Sequence, residues 1–154
     1  MSKYIQSFTV IPKELFRLNS GNAIRLRGVA GSLKPQRSFD LLTEAGKVQP
    51  KALDPQTYEA PNGASMRPNT PMAQNLVKNF KGGSVCVYAV PTGTQIPDDL
   101  ILIHERDDHY SLQAKKEMTL DELNTKITNF LEVKGQCLTK EQWLQRYPQP
   151  TETC

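Results

Sequence analysis

Apolar positions in this chain follow two different periods. Before residue 70 they come in short runs, YIQSFTVI (4–11), ELFRL (14–18), AIRLRGVAG (23–31) and SFDLL (38–42), separated by proline, glycine and asparagine. Such runs predict short strands and loops. Residues 46–64 hold three of the eleven prolines and little apolar material, and are expected to form an exposed connection. Thr70-Pro71 then supplies a cap and a first-turn proline. Met72, Leu76, Val77 and Phe80 follow at helical spacing until Gly82-Gly83 ends the run. Three strands are predicted next: SVCVYAV (84–90), LILIHE (100–105) and HYSLQA (109–114). Thr119 with Glu122 makes a capping box, and Leu123, Ile127, Phe130 and Leu131 line one helical face behind it. Thr139 with Gln142 repeats the box before Trp143, and the tail YPQPTETC is expected to fray. The sum is an α+β architecture.

At 154 residues the chain is long enough for one domain with a real core. No run of 18 apolar residues occurs, and the segment MSKYIQSFTVIPKELFR lacks the apolar block of a secretory signal, so a cytoplasmic place of action is expected. Cys86, Cys137 and Cys154 show no zinc-type spacing and are expected as reduced thiols, with no metal. The net charge of +3 is unevenly spread. Residues 1–97 carry 12 basic against 5 acidic side chains, and residues 98–154 carry 7 against 11. No acid lies between Glu59 and Asp98, a window that contains Arg67, Lys78 and Lys81 and would draw a phosphate-bearing ligand. Scattered surface charge is the alternative, at even weight.

No phosphate loop, nucleophile elbow, zinc helix or dinucleotide fingerprint is present. Four smaller features remain. Arg17 sits in an apolar strand, where alternation sets it opposite Phe16 and makes it a rigid grip for a phosphate or ribose, unless it simply faces solvent. Gly63-Ala64-Ser65-Met66-Arg67 offers small residues for the approach of a flat ring, a hydroxyl and a second guanidinium, or else forms a turn into the helix. His104 and His109 flank an acidic turn and are candidates for acid–base work or for structural hydrogen bonds. Glu105, Asp107, Asp108 and Glu117 are candidates for stabilising a developing cation, or ordinary solvated acids.

The stretches VPTGTQIPDDL (90–100) and HYSLQAKKEMTLDELNTKITNF (109–130) resemble the C-terminal half of the second type VI secretion exported effector (Tse) family of toxins, which has relatives in filamentous fungi. The turn from Pro91 to Pro97, His109-Tyr110, Ala114-Lys115 and Asn129-Phe130 carry the likeness, and Leu15-Phe16-Arg17 and residues 60–67 fit the same order. The resemblance implies an ADP-ribosyltransferase-like fold over residues 1–147, with a split β-core, flanking helices and a short tail at 148–154. It implies a toxin-like, NAD-dependent ADP-ribosyltransferase of the glycosyltransferase class, modifying an unknown cytosolic macromolecule. A neutralising antitoxin-like protein would be a partner, and nucleic acid stays open as an acceptor. By position, Arg17, Ser65 and Gln113 match the family's cofactor grip, pocket-edge serine and later polar residue, with His109 and Tyr110 near the third. The implied roles are Arg17 and Arg67 on phosphate and ribose, Ser65 at the nicotinamide pocket, Tyr110 stacking on a ring, and His109 or Gln113 positioning ribose or acceptor. Cleaving the nicotinamide–ribose bond passes through an oxocarbenium-like centre, so no covalent nucleophile is required. Many transferases of this fold carry glutamate two residues after a Gln or Glu. Lys115 stands there instead, so a carboxylate would come from Glu105 or Glu117, or be absent. Two rival readings are a metal-independent small ribonuclease using His104 or His109 with Glu105, and a non-catalytic interaction domain that keeps the fold and meets a basic partner through its acidic C-terminal half.

Overall fold

A computed structural model describes residues 2–30 and 39–153. The chain runs β1 (Gln6–Phe8), β2 (Leu15–Ser20), β3 (Gly28–Ala30), β4 (Leu41–Glu44), β5 (Lys47–Val48), a 3-10 turn (Lys51–Leu53), β6 (Ala64–Met66), α1 (Pro71–Lys78), β7 (Val85–Val90), β8 (Leu100–Arg106), β9 (His109–Ala114), β10 (Met118–Thr119), α2 (Leu120–Lys134), β11 (Gln136–Leu138) and α3 (Lys140–Arg146). Three sheets result, ordered β1-β8-β9-β6, β11-β7-β2 and β10-β5-β4-β3. All pairings are antiparallel except β3 with β4. This is the expected α+β fold with a split β-core. Among the described residues no helix is long and apolar enough to cross a membrane.

Strand alternation sorts the core. On β7, Cys86, Tyr88 and Val90 join the main core, while Val87 and Ala89 face a second cluster with Phe16, Val77, Leu138 and Trp143. Both faces of β7 are covered, which is why its sequence is apolar almost throughout. On β9, Tyr110, Leu112 and Ala114 enter the main core, which leaves His109, Ser111 and Gln113 on the opposite face. The inward stripe of α2, Leu123, Ile127, Phe130 and Leu131, is buried as its periodicity predicts, and both capping boxes are formed.

Five expectations are corrected. Residues 46–64 are not merely an exposed connection: they hold β5, and Ala52 and Tyr58 are buried in a third cluster with Ile101 and Ile103. In α1 the buried positions are Ala73, Gln74 and Val77, whereas Met72 and Leu76 are exposed. Gln74 is held by Asn69 Oδ1 and the Tyr147 carbonyl, so hydrogen bonding overrides the apolar pattern. An unforeseen strand, β11, sets Cys137 beside β7, where it is joined to Cys86 by a disulfide across a Cα separation of 5.6 Å, in place of two free thiols. Cys154 lies outside the described residues, as do Gly31 and Ser38 at the ends of two expected strands. The tail does not fray: the Thr151 and Glu152 amides both donate to the Asn69 carbonyl, and Lys13 pairs with Glu152 at 2.7 Å. Asp107 and Asp108, read together as an acidic turn, part company, since Asp108 is buried at 7% exposure.

The segment before β3 has no strand partner for its Ile24 and Leu26 amides, and α2 supplies side chains instead. Thr128 Oγ1 accepts from Ile24 N and Asn124 Oδ1 from Leu26 N, each at 2.9 Å. Both Ile24 and Leu26 are buried, so an unmatched amide there is costly. Asn124→Ala is expected to lower unfolding free energy by about 1–3 kcal/mol, read from the urea midpoint at constant slope.

Candidate active site

The β1-β8-β9-β6 and β11-β7-β2 sheets meet at one seam. Phe16 of β2 and Arg67, just after β6, exchange two backbone hydrogen bonds of 2.7 and 3.0 Å. Arg17, next to Phe16, and Ser65, two residues before Arg67, are thereby brought close, and Arg17 Nη1 donates to the Ser65 carbonyl at 3.2 Å. Arg17, Ser65 and Arg67 line one cavity of about 180 Å³ together with Phe16, Leu76 and Trp143. Pockets for drug-sized ligands run to roughly 300–1,000 Å³, so this one has room for a ring and its sugar rather than a whole dinucleotide.

The two guanidinium groups differ. Arg67 Nε lies 3.4 Å from Asp108 Oδ1. Arg17 makes no ion pair among the described residues, and its Nε has no hydrogen-bond partner. Burial lowers its pKa, opposed only by the charge of Asp40. Arg17 is half-buried with its Nε enclosed, and a partly desolvated cation without a paired anion is costly, which a ligand anion would relieve. The donor set therefore fits an anionic, phosphate-bearing ligand.

Behind Ser65 lies a chain of hydrogen bonds that crosses three strands. Ser65 Oγ is 2.9 Å from His109 Nε2, and His109 Nδ1 is 2.6 Å from Glu105 Oε1. Glu105 Oε2 accepts from the Tyr58 hydroxyl, which accepts in turn from Gln113 Nε2 at 2.6 Å. Gln113 also donates to Ser111 Oγ at 3.0 Å, and its Oε1 accepts from Asn62 Nδ2 at 3.3 Å. Burial pushes Glu105 up, but the hydrogen bonds from His109 and Tyr58 outweigh it and leave the carboxyl below its ordinary value. Burial, and then the bond to Glu105, push Tyr58 far up, so it stays a neutral donor. With Nδ1–H assigned to the carboxylate, Nε2 is left as the acceptor for the serine proton. This is the wiring of a base-activated hydroxyl.

The structure thus brings Arg17, Ser65, Arg67 and His109 together at one site. Gln113 is fully buried and acts behind it, through Tyr58. Tyr110 is turned to the other face of β9: its ring is buried, stacked on His104 at 4.2 Å, and is not placed to stack on a ring in this cavity. Phe16 and Trp143 supply the aromatic wall instead. His104 shares the face of Tyr110, away from His109, and its Nε2 meets the Asp107 carbonyl at 2.7 Å. Of the two candidate carboxylates, Glu105 adjoins His109, whereas Glu117 is half exposed and meets Lys47 at 3.7 Å. Tyr58 and Asn62 are not among the candidates the sequence offers, and Asp108, a candidate for stabilising a cation, instead faces Arg67. For Tyr58 the available signal was an aromatic side chain alone in a proline-rich polar segment.

Gly63 has a role other than admitting a flat ring. A Cβ there would lie 2.4 Å from the Leu112 carbonyl oxygen and 2.8 Å from Gln113 Cγ, so the glycine lets β6 close onto β9 and sets Ser65 against His109. Gly63→Ala is expected to cost about 1–3 kcal/mol of stability, read from the urea midpoint, and to lower activity by displacing β6. The lowered Glu105 pKa gives a pH signature. Its contribution to stability is in full force above the ordinary glutamate value of 4.5 and is lost as pH falls through the depressed native value. Glu105→Gln should therefore flatten the acid limb of the stability profile below about pH 4.5, measured by urea unfolding across pH, while lowering the neutral plateau.

A family model described as the Tse2 ADP-ribosyltransferase toxin matches residues 13–143. No curated protein and no solved structure matches the chain. The matched span covers the seam, the cavity and the hydrogen-bond chain from Tyr58 to Ser65. The chain belongs to the Tse2 ADP-ribosyltransferase toxin family.

Proposed function

We propose that this chain is a toxin that takes NAD as substrate at the Arg17–Ser65 cavity and transfers ADP-ribose to a macromolecular acceptor in the cytosol. The observation that carries the reading is Arg17, a half-buried arginine whose enclosed Nε has no partner, beside a serine wired through histidine to a buried carboxylate. The family supplies the reaction class, and with it NAD as substrate and a macromolecule as acceptor.

Transfer of ADP-ribose breaks the bond between the anomeric carbon and the nicotinamide nitrogen, and positive charge spreads over the ribose as the ring leaves. Arg17, with Arg67 alongside, holds the phosphate and ribose end, so its charge is neutralised only when substrate is bound. Phe16 and Trp143 exclude water from the ring end. The developing cation needs a negative or dipolar neighbour, which Ser65 Oγ provides. His109 draws on the serine proton, and the Glu105 carboxylate balances the imidazolium that forms. Glu105 thus does the work that a glutamate at position 115 would have done, acting through His109 rather than on the substrate. Tyr58 and Gln113 fix the carboxylate from behind. A cell that makes such an activity must restrain it, so an antitoxin-like protein covering the cavity belongs to the proposal.

A ribonuclease of the two-histidine kind is less well supported, because His104 and His109 lie on opposite faces of the β8–β9 hairpin. The test is nicotinamide release from NAD by the purified chain, with cell extract as acceptor. Arg17→Ala and Ser65→Ala, checked for folding by circular dichroism, are each expected to lose about ten- to a hundredfold in activity and to relieve growth arrest on expression. A folded chain that neither binds NAD nor releases nicotinamide overturns the reading.

A further inference from the structure

We infer that Ser65 is itself an acceptor: supplied with NAD and no other acceptor, the chain ADP-ribosylates its own Ser65. This rests on the transferase reading and goes beyond it. The one nitrogen of His109 not facing Glu105 is filled by the chain's own hydroxyl at 2.9 Å. An incoming acceptor has no access to that base until Ser65 gives it up. The hydroxyl most strongly polarised at the site therefore belongs to the enzyme, and it lines the same small cavity as Arg17. Ser65 lines this cavity of about 180 Å³, so its hydroxyl stands beside the bound sugar before any external acceptor arrives.

The step balances without a further reactant. The Ser65 proton passes to His109 Nε2, and a bond forms between Ser65 Oγ and the anomeric carbon of the nicotinamide ribose. The bond from that carbon to the nicotinamide nitrogen breaks, its electron pair leaving with neutral nicotinamide. The positive charge that NAD carried on its ring ends on the imidazolium, which Glu105 holds. The product is an O-glycoside in the mouth of the cavity, which blocks the next NAD. Self-modification is thereby a built-in limit on turnover that operates when acceptor is scarce.

The test is intact-mass spectrometry of the full chain incubated with NAD alone, followed by peptide mapping, with nicotinamide release in cell extract measured in parallel. The expected result is a gain of one ADP-ribose per chain, mapped to Ser65 and resistant to neutral hydroxylamine, which strips carboxylate esters. Ser65→Ala should abolish the mark. Ser65→Thr, which keeps a hydroxyl at the position, should retain it at a reduced rate. His109→Ala should slow marking by about a hundredfold or more, as loss of a general base does. No mass gain, or a mark mapped elsewhere, overturns the inference. If nicotinamide is still released in extract the transferase reading survives that result, and if none is released under either condition both fall.

Discussion

Two backbone hydrogen bonds between Phe16 and Arg67 hold the active region together. They join the edge of the β11-β7-β2 sheet to the edge of the β1-β8-β9-β6 sheet, which are otherwise separate. A split between sheets normally leaves a cleft lined by whatever the edges present. Here the bridge fixes the register, so the cleft receives Arg17 from one edge and Ser65 from the other. Were the seam to slip by one residue, one strand would have to turn over relative to the other, and Arg17 and Ser65 would no longer line one cleft together. The chemistry proposed for the site thus depends on a backbone contact in which none of its polar side chains takes part.

The electrostatics follow from the same arrangement. Four of the five ionisable groups nearest the seam are matched in pairs: Arg67 with Asp108, and His109 with Glu105. Arg17 alone is left unmatched among the described residues. Folding a guanidinium into that position opposes stability, and a protein that tolerates such a cost commonly uses it at a binding site. The uneven charge along the sequence has a local counterpart here. The basic N-terminal half contributes the arginines, and the acidic C-terminal half contributes the carboxylates that brace Arg67 and His109 from the β8–β9 hairpin.

Elements with their own signals were legible in the sequence. The capping boxes at Thr119 and Thr139, the Thr70-Pro71 helix start and the strands β7 to β9 all carry local chemistry that tertiary contacts did not overrule. Arg17 and Ser65 were legible as candidates, though nothing local brings them together. Other features depend on distant partners. Gln74 is buried because Asn69 and Tyr147 satisfy its amide, and Tyr58 is buried because Glu105 and Gln113 meet its hydroxyl. Tyr110 is a different case. Alternation along a strand already separates it from His109 and Gln113, so grouping all three at one ligand conflicted with the period of the strand they share.

One carboxylate couples parts of the fold that are distant in sequence. Asp108 accepts from Thr70 Oγ1 at 2.5 Å, the same hydroxyl that caps α1 through the Ala73 amide, while its other oxygen faces Arg67. The first turn of α1, the arginine beside the cavity and the β8–β9 hairpin turn are thereby tied to a single anchor. Fraying of the helix end and opening of the hairpin turn would therefore each break a bond of the same carboxylate.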